Sequence, residues 1–486
     1  MRGMLPGALL LLTTALPGSQ AQSAPDVAPY ISVSAAEFAL THVRIIDGTG
    51  APALNDQTII ISHGKILSIE PTATSKIPKA SQIEDATGYS VLPGLVGMHN
   101  HLYISDSIAD QIGTDGRIGE PGFIVTEIPY TAPRLYLAAG VTTMRTTGSI
   151  EPYADLLLKN RIDRNLMPGP AMDVTAPYLE GTPTHFAQMH ELTGPDDATR
   201  TVNYWAEEGA TSFKAYMDIS RAELGAAIQA AHARKLKLTG HLCSVTWPEA
   251  IALGIDDFEH GPVFTDTEFA SNKKPDVCPE GRSASRAWLK IDINGPQAQS
   301  LIHNLVEHHI AVTSTLPVFE AMAPGRPPLR TAVLNAMSPS AARSYLTLRA
   351  EIPMQSPVTA LLRKEMDFEI AFVKAGGLLL AGPDPTGNGG VLPGFGDQRE
   401  VELLVEAGFT PIMAIRIATK NGAEFLGRED SIGTIAVGKQ ADLVLVKGDP
   451  STRIADIENV KTVFKDGVGY DSAKLLESIR GQVGVR

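Results

Sequence analysis

Cysteine is scarce: Cys243 and Cys278 are the only two in 486 residues. That count excludes a cysteine-rich zinc site. An oxidising compartment permits a disulfide between them, but the sequence leaves open whether they meet or Cys243 is a buried thiol. Excess positive charge is also missing. With 41 Lys and Arg against 54 Asp and Glu, the formal net charge is -13. Nucleic acid is therefore excluded as an expected partner, because a phosphate backbone needs a concentrated basic surface. No block of like charge marks a tail, and no internal repeat is evident. Beyond the N-terminus no apolar run approaches the ~20 residues needed to span a bilayer.

The N-terminus itself carries a short apolar run, Ala8 to Leu16, after Arg2 and before Ser19-Gln20-Ala21. This pattern predicts a cleavable signal peptide over residues 1–21 and a periplasmic or secreted mature protein with no membrane attachment. Residues 22–37 read as a flexible lead-in. Hydrophobic residues make up 43% and charged residues 20%, which suits a soluble chain with a large core.

Residues 38–92 read as β structure, with runs at Ala39–Ile46 and Thr58–Ser62 broken by Asp47-Gly48 and His63-Gly64. Asp442–Val446 and Val460–Gly467 have the same texture. One small β-sandwich built from residues 38–92 and 429–486 is expected. Between them, residues 93–428 alternate short apolar strands with amphipathic helices, such as 222–235, 296–309 and 399–407. The predicted class is α/β, a (β/α)8 TIM barrel. Two irregular stretches, 106–124 and 324–357, exceed ordinary loop lengths and are expected to roof a site, the second with some helix.

His99-Asn100-His101 closes the apolar run Val91 to Met98. Side chains two apart on a strand face the same way, so both imidazoles can address one cation. Lys214, His241, His260 and Asp384 each stand at or near the end of another short apolar run. In a barrel the strand C-termini converge on one face, which carries the chemistry.

The order His-x-His, Lys, His, His, Asp resembles the amidohydrolase superfamily of metal-dependent hydrolases. Within it, the chain is most similar to the imidazolonepropionase-like and Xaa-Pro-dipeptidase-like branch, from about Phe38 to Tyr470. Val141–Arg145, Phe258–Gly261, Glu402–Pro411 and Gly438–Leu445 carry the resemblance further. It implies two zinc ions, one on His99, His101 and Asp384, the other on His241 and His260. Lys214, carboxylated on its amine, would bridge them, and Asp384 would serve as general acid and base. Other divalent metals fit the same donors.

The implied activity is hydrolysis of an amide or peptide C–N bond in a small molecule, dipeptidase-like or carboxypeptidase-like, on N-acyl amino acids or dipeptides. A cyclic amide, carbamate, urea or ester is the alternative. A non-catalytic barrel is a third reading, although such relatives lose ligands and all six positions are filled here. A homo-oligomer is compatible with the sequence. Arg145, His185, His190 and Tyr216 are candidate substrate-binding residues. Arg145 in a buried ion pair, Tyr216 in packing, and His185 and His190 on a surface loop are the competing readings.

Overall fold

The computed structural model describes residues 26–79, 81–104, 126–184, 188–281, 283–385 and 390–484. The expected signal peptide, the stretch 106–124 and His185 lie outside them.

Eight short parallel strands organise the centre of the chain. Leu95–Asn100, Val141–Thr146 and Ala171–Val174 are hydrogen-bonded in that order. Ser212–Ala215, Lys237–Gly240, Asp257–Glu259, Ala311–Ser314 and Leu379–Ala381 form a second parallel group, also in chain order. Backbone bonds join the groups on both sides. Thr211 N–H donates to Val174 at 2.8 Å and Ala176 N–H to Ser212 at 3.0 Å, while Asp384 N–H donates to His99 at 3.1 Å. Helices follow the strands, giving a TIM-barrel-like α/β fold.

Local sequence explains where the helices begin. Ser220 with Glu223, and Thr246 with Glu249, form capping boxes that start Arg221–Ala233 and Trp247–Leu253. Each box satisfies two backbone N–H groups that a helix start leaves unpaired. Strand alternation then divides the side chains. Phe213, Leu238, Phe258, Val312 and Leu379 join the apolar layer shared with the helices, and Phe258 stacks on Trp247 with ring centroids 4.0 Å apart. The intervening residues point the other way.

Both ends of the chain contribute to a nine-stranded sheet. Leu443–Lys447 pairs antiparallel with Tyr89–Pro93, which joins the C-terminal strands to the N-terminal ones. Strands Glu37–Ile45 and Val460–Lys465 lie three steps apart in this sheet, about 14 Å if it were flat. Phe38 and Phe464 nevertheless stack at 5.1 Å. The sheet therefore curls over a core of Leu40, Val43, Ile59, Ile61 and Leu445.

Residues 324–357 contain helix, as expected for the second long stretch. They contain two helices, Thr331–Ala336 and Pro339–Glu351, the second capped by the Ser338 hydroxyl accepting from Ala341 N–H. Pro324 to Pro328 and Pro353 to Pro357 gave the segment its loop-like composition, while Ser-Pro at its centre is a helix start. Cys243 and Cys278 are disulfide-bonded, with Cα atoms 4.8 Å apart. Among the described residues no helix is long and apolar enough to cross a membrane.

Candidate metal centre

Strand geometry delivers the first ligands simply. On Leu95–Asn100, Val96 and Met98 pack into an apolar layer with Ala423 and Phe425, so His99, and His101 just beyond the strand, take the opposite side. Lys214 alternates with the outward Phe213 in the same way. His260 requires more. Asp257 and Glu259 face inward and Phe258 outward, so plain alternation would send His260 away from the site. Its backbone is left-handed, with φ 68°, which turns the ring back to lie 3.1 Å, Nε2 to Nδ1, from His241. Asp384 is also left-handed, at φ 51°. That conformation costs a residue bearing a Cβ roughly 1–2 kcal/mol, and His and Asp tolerate it better than most.

The six polar groups meet at short range. Asp384 Oδ1 lies 3.3 Å from His101 Nε2 and 3.5 Å from His99 Nε2. His260 Nε2 is 3.9 Å from Asp384 Oδ2, and Lys214 Nζ is 3.3 Å from His99 Nε2. His99, His101, Lys214, His260 and Asp384 are all buried; His241 is partly exposed.

These donors fit a metal ion. Asp384 Oδ1 is buried yet makes no hydrogen bond among the described residues. Three ligand atoms, from His99, His101 and Asp384, converge within 4.8 Å of one another. Ligands ~2.1 Å from a tetrahedral zinc stand about 3.4 Å apart, close to the two spacings Asp384 makes. Charge states agree. Burial pulls His101 down to about 4 and, with Lys214 adding to the effect, His241 to about 3, so both rings are neutral. Burial opposes ionisation of Asp384, but His99, His101 and His260 hold its carboxyl well below the usual carboxylate range. Burial also lowers the Lys214 ammonium to about 8.

A surrounding set of residues fixes the ligands, and sequence reasoning did not find it. Glu259 Oε2 is 2.8 Å from His99 Nδ1. His260 Nδ1 is 2.7 Å from Thr315 Oγ1. Tyr136 donates its hydroxyl proton to the His101 carbonyl at 2.7 Å and accepts from the His101 N–H at 3.1 Å. Only Glu259 had a sequence signal, as a charged residue inside an apolar strand next to His260.

The substrate candidates divide. Arg145 is not at the mouth of the site. Its guanidinium is buried, with Nη2 2.8 Å from Asp257 and 2.9 Å from Glu259, and Nε donating to Met98 at 2.8 Å. It is the interior ion pair, because the facing strand supplies two carboxylates that sequence order does not reveal. His190 is also away from the cluster, 3.0 Å from Asp197 on a half-exposed side chain. Tyr216 reaches the site, its ring 5.2 Å from that of His241.

Residues 395–469 match the model of the amidohydrolase family. No curated protein matches the chain. Among solved structures, a Xaa-Pro dipeptidase with bound methionine is similar at 20% identity and TM-score 0.65, covering 90% of this chain and 100% of that one. Bottromycin amidohydrolase is similar at 20% identity and TM-score 0.66, covering 95% and 94%. A. niger ochratoxinase is similar at 16% identity and TM-score 0.61, covering 89% and 95%. The family match covers this C-terminal segment, and the solved structures share the fold of nearly the whole chain.

Proposed function

We propose that this protein is an exported, metal-dependent amidohydrolase that cleaves the C–N bond of N-acyl amino acids or dipeptides. The observation that carries the reading is the convergence of His99, His101 and Asp384, with Lys214, His241 and His260 packed beside them, around a buried carboxylate oxygen without a hydrogen bond among the described residues. The names of the similar structures, a dipeptidase and an amidohydrolase, favour amide chemistry. Closure of the eight strands into a barrel, and a sandwich-like terminal unit, belong to the same proposal.

His99, His101 and Asp384 would hold one zinc ion and His241 and His260 a second. Lys214 lies against His99, and burial favours its neutral amine. Addition of that neutral amine to carbon dioxide, with one proton released to solvent, would give a carbamate anion whose oxygens could serve as metal ligands. The metal pair would polarise the scissile carbonyl and make water acidic enough to ionise near neutral pH. Asp384 would take the proton of the attacking water on a carboxylate oxygen and return it to the departing nitrogen. That second transfer matters because an amide anion is a very poor leaving group. Pro383 and Pro385 restrict the backbone on either side of Asp384 and help fix its aim.

Export rests on the expected signal over residues 1–21, and the Cys243–Cys278 disulfide supports an oxidising compartment. The test is a hydrolysis screen of N-acyl amino acids and dipeptides with zinc-loaded protein. Turnover is expected in the wild type and a loss of at least a thousandfold in Asp384→Asn. Full turnover in that variant removes the proposed base, and no turnover by zinc-loaded wild type removes the activity.

A further inference from the structure

Glu365 is an acid set in an apolar layer. It lies on the helix Val358–Lys374, is 1% exposed, and is flanked along that helix by Leu361, Leu362, Phe368 and Phe372, all buried. Burying a carboxyl there costs free energy unless a hydrogen bond offsets it. Its one hydrogen bond among the described residues is with Val263, whose N–H donates to Oε2 at 3.0 Å, while Oε1 has none. Burial, with Glu369 adding to it, raises the carboxyl well above its usual range. At neutral pH the group is therefore an uncharged acid offering a carbonyl-like acceptor.

Val263 stands three residues after His260. Between them Gly261 opens the short turn Pro262–Thr265, and no side chain of its own caps that turn. Pro262 has no N–H, so Val263 carries the first donor that needs a partner. Glu365 supplies it from 102 residues away. The carboxyl also lies over the Gly261 α-carbon: the three nearest atoms that a Cβ at Gly261 would meet all belong to Glu365. Bond and contact together fix Gly261 and Val263 against the helix. His260, immediately before them, is the residue whose left-handed backbone turns its ring into the cluster. Thr315 Oγ1, 2.7 Å from His260 Nδ1, acts on the ring and not on the backbone.

We propose that Glu365 is a positioning residue for His260, its carboxyl clamping the Gly261–Val263 turn so that the left-handed backbone holds the ring in the cluster. For its effect on metal this inference rests on the function proposed above, where His260 binds the second zinc ion. Loss of the clamp would then act on that ion and spare the one on His99, His101 and Asp384. The placement of the ring is a property of the chain itself and is read without metal.

In zinc-free protein, the rate at which diethyl pyrocarbonate acylates each histidine is followed by peptide mass spectrometry. Glu365→Met fills nearly the same space without an acceptor, whereas Glu365→Gln keeps the carbonyl that Val263 bonds. His260 is expected to react at least fivefold faster in the first variant and within twofold of wild type in the second, with His99 unchanged in both. Gly261→Ala reaches the same contact from the other side. Its backbone is extended, at φ -120°, so the new methyl acts by displacing Glu365, and the same acceleration is expected. This variant decides the matter should Glu365→Met fail to fold. In zinc titrations, the second equivalent should bind about tenfold more weakly in Glu365→Met while the first is unchanged. Wild-type rates at His260 in both Glu365→Met and Gly261→Ala would overturn the proposal. Equal acceleration at His99, the mark of general loosening, would overturn it as well. A wild type that binds no zinc would sink the metal-centre reading alone, since the histidine rates still decide Glu365.

Discussion

Glu259 Oε2 stands 2.8 Å from His99 Nδ1, on the far side of the imidazole from the metal-facing nitrogen. A proton on Nδ1 facing this carboxylate would leave Nε2, 3.5 Å from Asp384 Oδ1, as a lone-pair donor. Burial works against the Glu259 charge, but Arg145, His99 and Lys214 outweigh it and hold the carboxyl at about 2. Glu259→Gln should weaken zinc binding by roughly tenfold to a hundredfold, the usual effect of losing such an orienting partner. Competition against a chelator of known affinity measures it. Unchanged affinity would mean that packing alone orients His99.

Arg145 gives a second expectation. Its guanidinium separates Asp257 from Glu259 inside the strands, with burial and Glu259 pushing Asp257 up to about 7. Arg145→Met leaves two adjacent carboxylates buried without their cation. The cost should be about 3–5 kcal/mol of stability, read from urea unfolding at pH 7. A variant of normal stability with only a raised KM would put Arg145 back on substrate.

Glu369 supplies a pH dependence away from the metal centre. Burial pushes its carboxyl up to about 8, with Ser314 pulling weakly the other way, against an ordinary value of 4.5. Below pH 4.5 folded and unfolded chains both hold the proton, so no penalty arises. Between 4.5 and 8 the unfolded chain ionises while the folded one stays protonated, so stability falls as pH rises. Above 8 the loss is complete, on the order of a few kcal/mol. Glu369→Gln should flatten this decline when unfolding free energies are compared at pH 5 and pH 8.5. Parallel pH profiles would show that Glu369 ionises freely in the fold.

The disulfide closes a sequence separation of 35 residues that includes His260, with Cys243 two residues after His241. Cys243→Ser with Cys278→Ser should cost about 2–4 kcal/mol and lower zinc affinity with it. Melting in the presence and absence of reductant checks the first part. An unaffected melting temperature would contradict it.

Much of this site is written in strand periodicity. His99, His101 and Lys214 alternate with outward apolar residues, so their facing follows from a period of two. The seam between the chain's two ends was legible from their shared β texture. His260 and Asp384 face the site only through left-handed backbone turns, which strand alternation does not predict, so their placement needed the order of the motif. A buried ion pair was among the readings for Arg145, but its partners and the role of Glu259 were hidden because they depend on which strands stand opposite across the interior. The Glu365–Val263 bond joins residues 102 apart and has no local signature at all. The bounds of the helices at Thr331–Ala336 and Pro339–Glu351 were masked by the prolines around them.

The central claim is that six side chains hold a pair of cations with Lys214 between them. Zinc bound per chain, measured by elemental analysis after loading in bicarbonate buffer and gel filtration, tests it most directly. Two equivalents are expected in the wild type and at most one in Lys214→Ala. Two equivalents in that variant would remove the bridge, and none in the wild type would contradict the account itself.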